Sequence, residues 1–295
     1  MTQTSSMFLG DTTNIDYAFI NERGNIVGGS IRPKFVVTGK VDPIEQVVVD
    51  FSAIKKAIKK LIDDPDRGYD HKLWVLPTSK CAVRWYDDSS TVTVSAPGVS
   101  IEGPSNILKV LDYADPATDI SDYLESNLKE LYPNVSISID TVATHTFDLM
   151  PQCNSGAFSF TYVHGLKNST SWGCQNIAHG HFSYLSAETT NVAATDTVLK
   201  AIADELQETI FAWVANLSEE EDNDAAYIDY TSNRGRMHMS IDTIAHKLVV
   251  LETETTVEHL VDYVAAKWHQ ELVDAGVTRL YVSEGLSKGA CTQLD

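Results

Sequence analysis

The stretch VLDYADPATDISDYL, at Val110–Leu124, has a counterpart 140 positions later in VLETETTVEHLVDYV, at Val250–Val264. Both stretches begin with apolar, strand-like residues, pass through a polar turn and continue with apolar residues at helical spacing. Self-similarity at a near-constant offset is typical of a chain built from repeated structural units. The sequence therefore predicts two halves of the same design.

A second pair of segments supports the repeat. Residues 50–61, DFSAIKKAIKKL, and 195–206, TDTVLKAIADEL, lie 145 positions apart, and both have the apolar spacing of a helix. Turn residues between β-rich runs predict a hairpin in each half, at 81–97 and 225–241. Further strands are predicted at 31–39, 46–50 and 135–142 in the first half, and at 157–163, 180–187 and 278–285 in the second. These patterns predict an α+β fold with helices on one face of each sheet.

The boundary between the halves is predicted near Met150, because turn-forming residues cluster there without periodicity. This gives two domains, residues 1–150 and 151–295. A chain of 295 residues is long enough for two domains of that size.

Composition limits the classes of partner. The chain has 22 basic and 41 acidic residues and a formal charge of −19, which disfavours binding to a phosphate backbone. It has no apolar run of about 20 residues and no signal-like N-terminus, so we expect a cytoplasmic protein without membrane contact. The cysteines, at 81, 153, 174 and 291, form no C-x-x-C pair, which fits a reducing compartment.

Three histidines in the second half have the spacing of a metal site. His179 and His181 flank Gly180, so their side chains point to the same face of a strand. His164 lies 15 residues earlier, on the expected antiparallel partner strand. Three imidazoles leave one coordination position open, which is typical of catalytic Zn²⁺. Cys174, in the connecting loop, would have its pKa lowered by a nearby cation and is a candidate base.

These residues resemble the motif set of the 6-pyruvoyltetrahydropterin synthase and 6-carboxytetrahydropterin synthase family, which has the tunnelling fold. The second half carries most of that set, at Phe160–His164, Cys174, His179–His181, Thr256–Glu258 and Glu284. It lacks the family's Asp-His pair, for which the repeat offset gives Ala215 and Asn216. The first half has an Asp-His pair at Asp70 and His71, but its counterparts of the three histidines are aligned as Asn21, Arg32 and Lys34.

The complementary losses predict one composite site made by both halves. As the resemblance implies, each half is an antiparallel four-stranded sheet with two helices. His164, His179 and His181 hold Zn²⁺, Cys174 is the base, and Asp70 and His71 complete the proton relay. The resemblance also implies a pterin site at Glu284, with Thr256 and Glu258 nearby. Arg32 and Lys34 are candidates for binding a triphosphate.

The resemblance implies a lyase that converts 7,8-dihydroneopterin triphosphate to 6-carboxy-5,6,7,8-tetrahydropterin, in the 7-deazaguanine and queuosine pathway. It also implies a homo-oligomer, either a trimer or a tetramer of tandem chains. Two alternatives stay open: a 6-pyruvoyltetrahydropterin synthase that releases triphosphate, and a catalytically inactive zinc protein that binds a pterin or purine. Cys153 is an alternative to Cys174 as the base, and Asp70 and His71 also fit a solvated turn.

Overall fold

The computed structural model describes residues 4–86, 90–143, 152–218 and 224–294. The boundary predicted near Met150 lies outside the described residues, so the division into 1–150 and 151–295 stays a prediction.

The first half contains nine strands and two helices in the described residues. The strands are β1 (Thr4–Leu9), β2 (Ile15–Ile20), β3 (Ile26–Lys40), β4 (Lys72–Val75), β5 (Ala82–Trp85), β6 (Thr91–Ala96), β7 (Val99–Pro104), β8 (Leu108–Val110) and β9 (Val135–Ala143). The helices are α1 (Phe51–Ile62) and α2 (Pro116–Leu128). Both helices begin after an aspartate whose carboxylate accepts a backbone N–H of the first turn.

The second half follows a related order. Its strands are β10 (Phe158–His164), β11 (His179–Thr189), β12 (Thr209–Trp213), β13 (Ala225–Ser232), β14 (Gly235–Asp242), β15 (Lys247–Leu251), β16 (Val277–Glu284) and β17 (Lys288–Gln293). Its helices are α3 (Val192–Leu206), α4 (Val257–Lys267) and α5 (His269–Asp274). The predicted α+β class and the repeated strand, turn and helix are confirmed.

Each half builds a mixed sheet of six strands. In the first, β2 pairs antiparallel with β3 and parallel with β4, while β4 pairs parallel with β8. In the second, β10 pairs antiparallel with β11 and parallel with β12, while β12 pairs parallel with β15. The four-stranded antiparallel sheets expected from the resemblance are therefore not what the structure contains. The parallel pairs arise because the chain leaves the sheet before it returns, through α1 or α3 for β2–β4 and β10–β12, and through strands of another sheet for β4–β8 and β12–β15.

A third sheet joins the two halves. The predicted hairpins form as β5–β6 and β13–β14, and an additional strand, β7, pairs antiparallel with β14. The resulting order, β13-β14-β7-β6-β5, contains strands from both halves. The halves consequently share continuous backbone hydrogen bonding as well as side-chain packing.

The predicted strand at 46–50 is wrong, and β2 is among the strands that were not predicted. Residues 46–50 form no strand, because the chain turns at Asp42, whose carboxylate accepts the backbone N–H groups of Ile44 and Glu45. The first-half strand pair that corresponds to β10–β11 of the second half is β2–β3, which begins at Ile15. This earlier start changes which residues of the two halves are equivalent.

Three apolar cores hold the molecule together. The helices of each half pack on one face of their own sheet, with Ile54 and Leu124 in the first half and Leu199 and Leu260 in the second. The third core lies between the shared sheet and both large sheets. Among the described residues, none of the helices has both the length and the apolar character that crossing a lipid bilayer requires.

The two large sheets touch at a pair of glycines. A Cβ atom added to Gly28 on β3 would collide with the carbonyl oxygen of Tyr162 and would lie 2.7 Å from the backbone nitrogen of His181. A Cβ atom on Gly180 of β11 would lie 2.6 Å from the Cα of Gly28. Glycine is therefore needed at this crossing, which brings the first half directly against the strand that carries His179 and His181.

Candidate metal centre

The three histidines of the second half meet on one hairpin. His164 lies directly opposite His179 across the β10–β11 pair, and Tyr162 lies opposite His181. The ring centroids of His164 and His179 are 4.5 Å apart, and those of His179 and His181 are 5.3 Å apart. All three side chains are fully buried, and each offers a nitrogen within 4.8 Å of the others.

Hydrogen bonds fix which nitrogen of two of these rings is available. The Nδ1 of His164 donates to the carbonyl of Thr255, and the Nδ1 of His179 donates to the carbonyl of Asn176, both at 2.8 Å. Their Nε2 atoms are buried and have no hydrogen-bond partner among the described residues. Burial lowers the pKa of His164 to about 3 and that of His179 well below its usual value, so both rings are neutral.

Buried imidazole nitrogens without a hydrogen-bond partner are energetically unfavourable unless a ligand binds them. Neutral imidazole is the form that coordinates a metal, and a backbone carbonyl on the other nitrogen is a common support for such a ligand. The set of three histidines therefore fits Zn²⁺.

Two carboxylates and an ammonium surround His181. Its Nδ1 lies 3.4 Å from Oδ1 of Asp16, and its Nε2 lies 3.7 Å from Oε1 of Glu284. Lys288 pairs with Glu284 at 3.1 Å and lies 3.6 Å from Asp16. Burial alone would raise the pKa of Glu284, but the charges of His181 and Lys288 hold it at about 2. Glu284 is thus an ionised, mostly buried carboxylate beside a histidine of the cluster.

Asp70 and His71 of the first half lie at the same place. His71 has a positive φ of 54°, so the backbone turns and both side chains face one site. The Nδ1 of His71 donates to Oδ2 of Asp70 at 2.7 Å, and Oδ1 of Asp70 accepts the backbone N–H of Asp16 at 2.9 Å. The His71 ring centroid is 5.1 Å from that of His179. Residues of both halves therefore meet within one chain.

Cys174 extends the pair of Asp70 and His71 to a line of three side chains. Its Sγ lies 3.6 Å from Nε2 of His71, on the opposite side of that ring from Asp70. Burial raises the pKa of the Cys174 thiol, but the hydrogen bond and charge of His71 outweigh this and lower it. Burial likewise opposes protonation of His71, yet Asp70 and Cys174 raise its pKa well above the usual value. The geometry favours a thiolate beside an imidazolium.

The loop that carries Cys174 is anchored to the first half. A Cβ atom on Gly173 would lie 2.7 Å from the ring of His71, so glycine permits the close approach. The side chain of Asn176 donates to the carbonyls of His71 (3.0 Å) and Ile107 (3.2 Å). Cys153 lies elsewhere and contacts Ser186 at 3.5 Å. The structure therefore places Cys174, not Cys153, next to His71.

The remaining predicted residues are less closely associated with the histidines. Thr256 is the N-cap residue of α4, and its neighbour Thr255 is the residue that contacts His164. Glu258 is exposed on α4, and Lys34 pairs with Asp140 at 3.3 Å on the surface. Arg32 donates to Asn14, which in turn donates to Ser287 in the turn that follows Glu284. In the described part of the chain, neither Glu258 nor Lys34 contacts the cluster.

The register of the paired strands shows which first-half residues are equivalent to the three histidines, and they differ from those expected from the sequence. Tyr17 pairs with Gly29 and Lys72, as Tyr162 pairs with His181 and Thr209. The counterparts of His164, His179 and His181 are therefore Phe19, Val27 and Gly29, and not Asn21, Arg32 and Lys34. None of the three can bind a metal through its side chain. A Cβ atom on Gly29 would lie 2.6 Å from the ring of Tyr17, so that ring occupies the corresponding space.

The same register corrects the second-half equivalents of Asp70 and His71. These are Gln207 and Glu208, which precede β12 as the Asp-His pair precedes β4. Glu208 has a positive φ of 58°, and Gln207 accepts the backbone N–H of Thr161 at 3.1 Å. Ala215 and Asn216, the residues given by the repeat offset, lie in a short 3₁₀ turn after β12.

Sequence reasoning missed Asp16, Thr255 and Asn176. All three are buried polar residues that contact a site side chain or its backbone. No motif marks them, because their roles depend on packing between distant segments.

Comparisons with known proteins give a likeness over half of the chain. No family model matches the sequence, and no curated protein matches it. Among solved structures, 6-pyruvoyl tetrahydropterin synthase from Plasmodium vivax is similar at 13% identity and a TM-score of 0.36, covering 48% of this chain and 97% of its own. The enzyme from Plasmodium falciparum is similar at 14% identity and a TM-score of 0.33, covering 48% and 98%.

An uncharacterised protein from Wolinella succinogenes is similar at 14% identity and a TM-score of 0.32, covering 48% of this chain and 96% of its own. Two of these three structures carry the name of the family that the sequence motifs resemble. Each match corresponds in length to about one half of the tandem chain.

Proposed function

We propose that this chain is a zinc-dependent lyase that converts 7,8-dihydroneopterin triphosphate to 6-carboxy-5,6,7,8-tetrahydropterin. The observation that carries the proposal is the meeting of two sets of residues in one buried site. Three buried imidazoles from the second half, whose Nε2 atoms make no hydrogen bond to any described residue, lie beside the line of Asp70, His71 and Cys174. The substrate class comes from the motif resemblance, and the geometry supports the acid-base chemistry that such a substrate requires.

His164, His179 and His181 would hold the zinc ion. When bound, zinc supplies a Lewis acid that polarises an oxygen of the substrate side chain. The protein's own contribution is to keep His164 and His179 neutral and oriented. The carbonyls of Thr255 and Asn176 hold two of them in a single tautomer.

Cys174 is the proposed base, because its thiolate is stabilised by the adjacent imidazolium. It accepts a proton from a carbon of the substrate side chain. His71 keeps the thiolate ionised through Nε2 and can return a proton from that atom. Asp70 holds the other nitrogen of His71, which fixes the orientation of the ring and favours its charged form.

Glu284 is the proposed anchor for the pterin ring, because a carboxylate can accept two parallel N–H groups from an aminopyrimidine. It is ionised, but Lys288 already pairs with it. A pterin must therefore displace or share this ammonium. Thr256, Glu258, Arg32 and Lys34 stay candidates for substrate contacts on the motif resemblance alone.

A homo-oligomer, trimeric or tetrameric, and a cytoplasmic location are part of the same proposal. The edge strand β1 supports assembly, because its residue Phe8 is exposed, with 70% of its surface accessible. An unpaired edge with exposed apolar side chains is a typical place for strands or subunits to associate.

The direct test is to incubate the zinc-loaded protein with 7,8-dihydroneopterin triphosphate and to identify the product by mass spectrometry. A 6-carboxy product supports the proposal, whereas a 6-pyruvoyl product assigns the pyruvoyl-forming reaction. Full zinc loading without turnover assigns a binding protein instead. Cys174→Ser should abolish product formation, and Cys153→Ser is the matched control because Cys153 contacts Ser186 and not His71.

A further inference from the structure

A cavity of about 490 Å³ lies beside the proton relay, between the two halves. The first half contributes Asp63, Asp70, His71 and Lys72 to its wall. The second half contributes the segment 171–173 and Arg234. Nothing in the mechanism above uses Lys72 or Arg234.

Both of these cations are buried without a carboxylate partner. Lys72 is 1% exposed and Arg234 is 5% exposed. Within the described residues, neither has a carboxylate oxygen inside 4.0 Å. They donate instead to neutral oxygens, and both reach the carbonyl of Asn106. Neutral carbonyls satisfy hydrogen bonds but leave the charges uncompensated.

The carboxylates that line the cavity are already paired with other cations. Asp63 pairs with Lys59 at 2.5 Å, and Asp70 pairs with His71 at 2.7 Å. Asp64 and Asp66 act on Lys72 only from a greater distance. Lys72 and Arg234 are therefore the cationic groups of the wall that have no paired carboxylate in the described part of the chain. Burial, together with the proximity of Arg234, lowers the pKa of Lys72 to about 7, as expected for a cation without a counter-ion.

Each cation also keeps an N–H that has no acceptor among the described residues. The ammonium of Lys72 has three donors and makes two hydrogen bonds, to Pro65 and Asn106. The guanidinium of Arg234 has five donors and makes four, to Asn106, Trp172 and Gly173. Both groups can therefore accept an anion without breaking their existing contacts.

We propose that this cavity binds the phosphate groups of a polyphosphate anion, with Lys72 and Arg234 as its ligands. The binding of the anion stands on these residues alone. Only its identity as the triphosphate of the substrate rests on the proposed function. In that case the phosphates lie next to His71, and Lys72 and Arg234 take the role that the sequence assigned to Arg32 and Lys34.

The test uses inorganic tripolyphosphate and the zinc-loaded full chain, with binding measured by isothermal titration calorimetry. Lys72→Gln and Arg234→Gln should each weaken binding by about tenfold or more, because each removes a charged donor. Arg23→Gln and Lys56→Gln are matched controls, because both side chains are exposed and lie outside the cavity wall, and they should leave the affinity within about twofold. Unchanged binding in Lys72→Gln, or loss of binding in either control, overturns the proposal.

Arg234 also holds the loop of Cys174, so Arg234→Gln can fail to fold. In that event, Lys72→Gln and Lys72→Arg carry the test, since the arginine variant keeps the charge and should retain most of the affinity. Tripolyphosphate binding without turnover of the pterin substrate separates the outcomes: the anion site stands and the proposed reaction fails. Normal turnover with wild-type KM in Lys72→Gln, together with weakened tripolyphosphate binding, shows that the proposed reaction stands and that the cavity does not hold the phosphates of the substrate.

Discussion

The Nε2 atom of His71 lies 3.6 Å from the Sγ atom of Cys174, although the two residues belong to opposite halves of the chain. The contact forms within one polypeptide, so no second subunit is needed to bring the proposed base and its proposed relay together.

This contact predicts the outcome of mixing inactive variants. Cys174→Ala and His71→Ala should each lower kcat by about 10²–10⁴-fold, because each removes one partner of the acid-base pair. A mixture of the two variants should be no more active than its components, since every chain lacks one member of its own site. The measurement is the rate of product formation after co-refolding. Recovery toward about a quarter of the wild-type rate, the share of sites in which random association combines an intact Cys174 with an intact His71, would show that sites form between chains.

The histidine cluster predicts one equivalent of zinc per chain. His164→Ala should reduce the zinc content to background, because the remaining two imidazoles bind zinc weakly. Elemental analysis after dialysis measures the content. His269→Ala is the matched control, since His269 is exposed on α5. Removing zinc with a chelator should also lower the melting temperature, because binding to the folded state stabilises it. A zinc content unaffected by His164→Ala contradicts the assignment.

The glycine crossing predicts a steric effect on stability. Gly28→Ala should destabilise the protein by about 1–3 kcal/mol, because its Cβ would collide with backbone atoms that cannot rotate away. Gly10→Ala is the matched control, because nothing lies within 4 Å of a Cβ there. Denaturant unfolding measures both. Equal stability of the two variants would show that the sheets do not cross closely at Gly28.

The buried ammonium of Lys72 predicts a rise in stability with pH. Its pKa is about 7 in the folded protein and 10.5 in the unfolded chain. Between these values the unfolded state binds more protons, so the free energy of unfolding increases with pH, by at most about 1.4 kcal/mol per pH unit for one proton. Lys72→Met should lose this contribution. Urea unfolding at several pH values from 7 to 10, in buffer without phosphate, compares the two slopes. Parallel slopes would contradict the low pKa.

The features that the sequence predicted are those that depend on neighbouring residues. The helices over 50–61 and 195–206, both hairpins and the pairing of His164 with His179 follow from local periodicity and hairpin geometry. The predicted strand at 46–50 failed because the chain turns after Asp42, whose carboxylate accepts the backbone N–H groups of Ile44 and Glu45. The alignment of the histidines failed because the connection between β2 and β3, residues 21–25, is shorter than that between β10 and β11, residues 165–178.

The features that the sequence did not predict depend on contacts between distant segments. The pairing of Val99 on β7 with Ile241 on β14 joins the two halves. Neither half needs this pairing to form its own six-stranded sheet. Likewise, Asn176 acquires its role only when His71 packs against its loop. Such pairings have a high cost in chain entropy and no periodic signal, so local patterns do not reveal them.

Tyr17 fills the space in the first half where the second half has an imidazole. A metal site there would require histidines in place of Phe19, Val27 and Gly29, and the Tyr17 ring would have to move, because it lies where a side chain at position 29 would point. The equivalent Tyr162 lies beside His181 in the second half, with the ring centroids 5.3 Å apart. The two halves therefore differ here in the direction of one aromatic ring as well as in three possible ligand residues.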